Sequence, residues 1–453
     1  MAKVKDMTKG TPIKLIVTFA LPMLLGNAFQ QLYSLVDTAV VGKVLGTAAL
    51  AAVGSAGWLD WLVLGCMLGL TMGFSIVISQ RFGAGDKDGL RQAITMSAVL
   101  TVASIVVLTT GSLLLCRPVL TAMNTPAEAL PLAVTYSSTL FKGLCINMTY
   151  NLFAAILRAL GNSRTPLIAM VIASVVNVVL DIVFVAYFGW GVAGAAGATV
   201  CGQACAAIIC LASLAKIDFI RPKKSDWKLH APTLRRLLVL GTPIAGQNVV
   251  VSVGGLVLQS IANGFGMAFV AGYAAAAKIC GMLEMAGWSI GSAMTTYSGQ
   301  NLGAKQYGRI RTGVRHAIVV AVGMAIICGT VGIIFGEPLT MLFVSKDAES
   351  LSEVVHASVL FLRTYGASLF TLYALFVLRS TLQGMGDAFF PIASAMLQVV
   401  IRIGLGYLGA WLWGGFGVYI ADCGAFVGAA IMLYFAYRAK INKLDPAGRT
   451  ALI

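Results

Sequence analysis

Residues Leu21 to Gly46 read LPMLLGNAFQQLYSLVDTAVVGKVLG, and two of their features conflict. The stretch is apolar, and it is long enough to cross a bilayer, which takes about 20 residues. Yet Pro22 stands near its start and a carboxylate, Asp37, sits in its middle. A charge at the centre of a membrane helix costs roughly 2.5–3.5 kcal/mol on insertion scales. A chain keeps such a residue where it faces a bundle interior or a water-filled path, and its default role is in ion or substrate passage. The plainer alternative is a buried polar residue that tightens helix packing.

The rest of the chain has the same character. Of its 453 residues, 58% are hydrophobic and 11% charged, whereas a soluble domain carries about 25% charged residues. The fold expected is an all-α polytopic membrane protein of twelve transmembrane helices, the fourth over 128–157 and the fifth over 165–187. Only short loops remain, so no soluble catalytic domain fits and an enzyme is not expected. The net charge of +15 does not point to nucleic acid, because the basic residues sit at span ends. Of the 32 Lys and Arg residues, 25 fall at the two termini and on alternate loops, Arg379 being assigned to the tenth-to-eleventh loop. The opposite loops hold only Lys43, Arg117 and Lys346, with the acids Glu337, Asp347 and Glu349. The positive-inside rule then places both termini in the cytoplasm of a multi-pass cell-membrane protein.

Nine Cys are scattered without a CxxC pair, and His230, His316 and His356 have no metal-ligand spacing, so no metal or cofactor is expected. There is no GxxxxGK[ST] motif either, which leaves an ion gradient as the energy source.

The chain repeats itself. Pro22 and Asn27 recur as Pro243 and Asn248, an offset of 221. Gln80-Arg-Phe-Gly-Ala-Gly85 recurs as Gln300-Asn-Leu-Gly-Ala-Lys305, an offset of 220, and Leu157–Pro166 recurs as Leu382–Pro391, an offset of 225. An offset that spans six helices implies two parallel six-helix lobes with pseudo-two-fold symmetry about the membrane normal. The expected division is 1–216 for the N-terminal lobe, 217–231 for a basic cytoplasmic linker and 232–453 for the C-terminal lobe.

The groups that could partner Asp37 are few. On the fifth span Asn177 and Asp181 are spaced i, i+4 and share one helical face. Thr199 lies on the sixth span and Tyr136 on the fourth. Two carboxylates brought together at low dielectric do not both ionise easily, and they titrate as a unit. That makes a proton site. Carboxylate, amide and hydroxyl oxygens equally suit Na⁺ at Asp37, Asn177 and Asp181.

Three segments carry a family resemblance. They are KGxxxKLxxxFALPxLLGNxxQQLYSxVDTxVVG at Lys9–Gly42, QxFGAGD at Gln80–Asp86 and LRxLGxSRTP at Leu157–Pro166. The chain resembles the MATE (multidrug and toxic compound extrusion) transporters, in their bacterial DinF-like branch, over essentially its whole length. The resemblance implies an antiporter, acting as a monomer, that exports amphipathic and often cationic small molecules in exchange for H⁺ or Na⁺. It implies that Asp37 is the coupling acid, fifteen residues after the bending proline, Pro22. It makes Tyr136, Asn177, Asp181 and Thr199 the partners of Asp37, and Gln30, Tyr33 and Asn151 cavity-lining positions. Another branch has a seventh-helix Glu, but Pro243–Gly255 here contains no acid. The alternative work within the superfamily is flipping of a lipid or lipid-linked saccharide. A non-transporting receptor would not need a repeated fold with paired buried acids.

Further charges lie within the spans. Asp60 and Lys142 enter from the same side to similar depth and are expected to pair, the alternative being that Lys142 tunes Asp37 or Asp181. Lys278, Glu284, Arg363, Arg402 and Asp422 are expected to form a structural ion network, with substrate choice as the alternative role.

Overall fold

A computed structural model describes residues 4–123, 125–344 and 350–446. Lys3, Lys346, Asp347, Glu349 and Arg449, used above in the charge count, lie outside them. Among the described residues there are helices and no strands. In chain order the helices are α1 (Pro12–Leu45), α2 (Thr47–Gly83), α3 (Lys87–Ala122), α4 (Leu130–Lys142), α5 (Leu144–Ala159), α6 (Arg164–Asp181) and α7 (Gly191–Leu214). Then follow α8 (Ala231–Ala262), α9 (Met267–Gly303), α10 (Tyr307–Ile334), the short α11 (Gly336–Met341), α12 (Leu351–Gly384), α13 (Phe389–Trp413) and α14 (Phe416–Leu444). Eleven of these are long and apolar enough to cross a membrane, and α4 with α5 makes a twelfth.

That twelfth span is the one expected over 128–157. It is broken by 49° between Lys142 and Leu144. The residue at the break is Gly143, which lacks a side chain to hold the helix and sits close against Val200 of α7. A Cβ there would stand 2.3 Å from Val200 Cγ2.

The repeat seen in the sequence returns in the backbone. Gly46 before α2 and Gly266 before α9 both have positive φ, 84° and 90°. Gly161 and Gly386 do likewise. At the third such turn Gly85 is matched by Lys305, with φ of 70° and 59°. The left-handed turn therefore survives the loss of the glycine that accommodates it most easily.

The chain divides into two compact units. Unit 1 comprises Met1–Asp6 and Leu21–Ala245, and unit 2 comprises Met7–Ala20 and Gly246–Ile453. Two helices thus contribute to both. The start of α1, before Pro22, packs in unit 2, where Met7 N–H donates to Gln300 Oε1 at 2.8 Å. The start of α8, before Gly246, packs in unit 1 against α2. There a Cβ on Gly69 or Gly73 would fall 2.4 Å from Ala245 Cα or 2.2 Å from Gly241 Cα. Small residues let these helices meet backbone to backbone, the usual means of association where lipid supplies no hydrophobic drive. In unit 2, Gly409 and Gly417 do the same for α13 and α14.

Candidate functional site

Unit 1 brings the polar residues of α1, α4, α6 and α7 together. On α6, Asn177 and Asp181 point inward, 2% and 0% exposed. Gly202 of α7 makes room for that face, since a Cβ there would lie 2.8 Å from Ala173 O and 3.2 Å from Asn177 Cβ. The close approach lets Asn177 Nδ2 donate to Thr199 Oγ1 at 3.4 Å. Directly after Asp181 the helix widens into a π-turn, Ile182–Tyr187, a distortion frequent at functional positions.

Asp37, beyond Pro22 on α1, is 7% exposed. Its carboxyl group lies within hydrogen-bonding reach of the Asp181 carboxyl. Tyr33 is one turn before Asp37, bonded to Gln30, and both Tyr33 and Tyr136 lie in the electrostatic field of the two acids. Despite these neighbours, Asp37 Oδ1, both Asp181 oxygens and Asn177 Oδ1 are buried without a hydrogen-bond donor. Two ionised carboxylates offer each other only acceptors. One proton shared between the acids would satisfy one oxygen of each, and one hard cation could take several of the oxygens together. Among the described residues no three His, Cys, Asp or Glu side chains cluster to hold a metal ion.

The family model for MatE matches the chain twice, over residues 22–183 and 243–408. The chain belongs to the MatE family. The two matches begin at Pro22 and Pro243, so the family's unit of recognition is the repeat itself. Among MatE relatives, a probable multidrug resistance protein of Bacillus subtilis, YpnP, is 29% identical over 98% of this chain and 99% of its own length. A crystal structure of a MATE in complex with MaL6 superimposes with TM-score 0.91 at 26% identity, covering 98% of this chain and 100% of that one. A MOP superfamily transporter from Pyrococcus furiosus also gives TM-score 0.91, at 25% identity, over 98% and 99% of the two chains. Its structure is described as having a binding pocket of reverse polarity that suggests a different function.

Asn151, expected to line the cavity, is buried, and its amide donates to Asn147 O and Oδ1, at 3.0 and 2.6 Å. Other expected contacts in this MatE protein do not form. Asp60 and Lys142 do not pair. Asp60 Oδ1 accepts from Ser137 Oγ at 2.9 Å, while Lys142 is exposed at the end of α4. Equal depth in the membrane does not bring two side chains to the same side of a helix. Lys142 follows Ser137 by five residues, about 140° around α4 at 3.6 residues per turn.

The expected five-residue ion network of unit 2 shrinks to a core. Arg402 Nε donates to Asp422 Oδ1 at 2.8 Å, both side chains 10% exposed. Tyr365 O–H donates to Glu284 Oε1. Arg363 is exposed, and the exposed Lys278 lies over the Phe343 ring, 5.9 Å from its centroid. Arg379 is not a loop residue. It lies inside α12, 7% exposed, because that helix runs on to Gly384 past the point where hydropathy suggests an end. Ser137 could not be picked out in advance, since hydroxyls are common inside membrane helices.

Proposed function

We propose that this protein is a secondary active exporter of amphipathic, often cationic, small molecules, driven by ion entry at Asp37 and Asp181. The observation that carries the reading is the facing pair of buried carboxyl groups, of whose oxygens Asp37 Oδ1 and both of Asp181 lack donors. The multidrug names of full-length relatives support the substrate class. When the site faces outward, a proton binds between the two acids, and their repulsion becomes a hydrogen bond. The neutral pair no longer holds a cation or its water. The first helix can then bend at Pro22, where proline removes a backbone bond and crowds the preceding turn, and substrate is released. Loss of the proton toward the cytoplasm resets the cycle, which is how an ion shifts the balance between two states. The proton is the favoured ion because two acidic side chains accommodate it with no further ligands. Both termini stand in the cytoplasm, and the working unit is a monomer.

The test is transport in proteoliposomes under imposed pH or Na⁺ gradients, with organic cations and labelled lipids as substrates. A pH gradient should drive uptake of the cations by wild-type protein, and Asp37→Asn should fold yet abolish it. Asp181→Asn should do the same. Wild-type coupling in Asp37→Asn protein would overturn the assignment. Coupling to Na⁺ alone would replace the proton, and movement of lipid alone would replace the substrate class.

A further inference from the structure

Three arginines are buried among the described residues: Arg91, Arg379 and Arg402, at 7%, 7% and 8% exposure. Arg91 faces Asp226 at 3.2 Å, and Arg402 faces Asp422 at 2.8 Å. Among the described residues no carboxylate pairs with Arg379. Its Nη2 donates to Ser394 Oγ at 3.2 Å, and its Nε is buried without a partner. The charge whose field reaches it is another cation, Arg402.

A guanidinium cannot escape burial by losing its proton, as a lysine can, whereas a buried carboxylate turns neutral by gaining one. An unpaired buried ion is among the most costly arrangements in a protein interior. The polar side chains that helical spacing places beside Arg379 and Ser394 are uncharged amides. Gln383 lies one turn further along α12 and donates to Gln247 Oε1 of α8 at 3.2 Å. Gln398 lies one turn beyond Ser394 on α13 and donates to Ser394 O at 3.3 Å. Ser394, Gln398 and Arg402 recur every fourth residue, so they form one stripe along α13. The Ser394 hydroxyl accepts from Arg379 and spends its own proton on Pro391 O at 2.7 Å, so it positions the guanidinium. The free donors are the Arg379 Nε–H and the second N–H of each glutamine amide, all in unit 2.

We propose that Arg379, held in place by Ser394 and flanked by the neighbouring glutamine amides, binds a monatomic anion of the chloride class inside unit 2. The enclosure of the guanidinium favours a small ion over an organic anion. The bound ion completes the charge balance of this interior. The proposal does not depend on the ion-coupling role of Asp37 and Asp181.

The test uses the full-length purified protein and follows thermal unfolding as chloride replaces gluconate at constant ionic strength. Chloride should raise the melting temperature saturably, and Arg379→Gln should remove that response. Ser394→Ala removes the acceptor that holds the Arg379 guanidinium and should shift the half-saturating chloride concentration upward by about fivefold, the worth of roughly one hydrogen bond. Crystals grown in bromide should show an anomalous peak beside Arg379 Nε. Equal melting in the two salts overturns the proposal, as does an unchanged chloride response in Arg379→Gln. Should Arg379→Gln not fold, an unchanged half-saturation in Ser394→Ala, or bromide crystals without the peak, overturns it.

Discussion

Unit 1 and unit 2 place different chemistry on equivalent positions of the repeat. At the offset of 221 Asp37 corresponds to Leu258, and at 225 Asn177 and Asp181 correspond to Arg402 and Gly406. The geometry matches too. Where Asp37 meets Asp181 in unit 1, Leu258 meets Gly406 in unit 2: a Cβ on Gly406 would lie 3.3 Å from Leu258 Cδ2. One half closes this junction with a leucine packed onto a glycine. The other leaves two acids with unsatisfied oxygens. The fold therefore does not require the acids, because the same helix pair packs without them. Their presence in unit 1 is better explained by use than by architecture.

The largest effect should come from imposing the chemistry of unit 1 on unit 2. Leu258 is 1% exposed, so Leu258→Asp buries a carboxylate where the neighbouring cation, Arg402, is already held by Asp422, at a cost of about 3–5 kcal/mol. Thermal unfolding should show severe destabilisation or loss of folded protein. The reverse change, Asp37→Leu, should melt at or above the wild-type temperature while abolishing ion-coupled transport. A destabilised Asp37→Leu would mean that the acids hold unit 1 together, and the contrast would fail.

Next comes the charge pair of unit 2. Asp422→Ala leaves Arg402 buried and unpaired, which should cost about 3–5 kcal/mol. Adding Arg402→Leu should recover much of that loss in a double-mutant cycle. Purely additive losses would reject a paired core.

A smaller effect separates Asp60 from Lys142. Ser137→Ala strands the Asp60 carboxylate and should cost about 1–3 kcal/mol. Lys142→Ala, at an exposed position, should change stability by no more than about 0.5 kcal/mol. A Lys142→Ala loss as large as that of Ser137→Ala would restore the pair that the structure separates.

The smallest effect concerns the loop before α8. The Lys223 backbone N–H, together with Arg91, holds the Asp226 carboxyl below its usual range. A depressed acid contributes stability that is complete above its unfolded pKa, near 3.9. That contribution is lost as pH falls through the lower folded value. Protease cleavage near Lys224 should therefore be flat from pH 8 to about pH 5 and should rise only in stronger acid. Arg91→Ala should raise cleavage at neutral pH.

Residues that contradict their surroundings are legible in the sequence. Asp37, Asn177 and Asp181 stand out because a polar group inside an apolar span is expensive, and helical spacing puts the latter two on one face. The repeat is legible because Pro22 and Pro243 stop at corresponding places. Azimuth is not legible. Depth along a span can be counted from its end, but the side of α4 that carries Lys142 depends on the break at Gly143 and on how α2 packs. Arg379 eludes the reading for a related reason. A basic residue near a helix end looks like a topology marker, and only packing shows that it is enclosed.

The sharing of α1 and α8 between the units bears on how such a chain could have arisen and how it can be cut. Residues 1–230 made alone would have a leading segment, Met7–Ala20, without its seat on unit 2. The same fragment would expose the groove on α2 that Gly69 and Gly73 open for Gly241 and Ala245. A single ancestral repeat could have met both needs only by trading its first helix with a twin, so gene duplication would have made permanent an exchange already present in a dimer. Splitting the chain at the 217–231 linker should accordingly give two fragments that fail to accumulate separately and reassemble when expressed together.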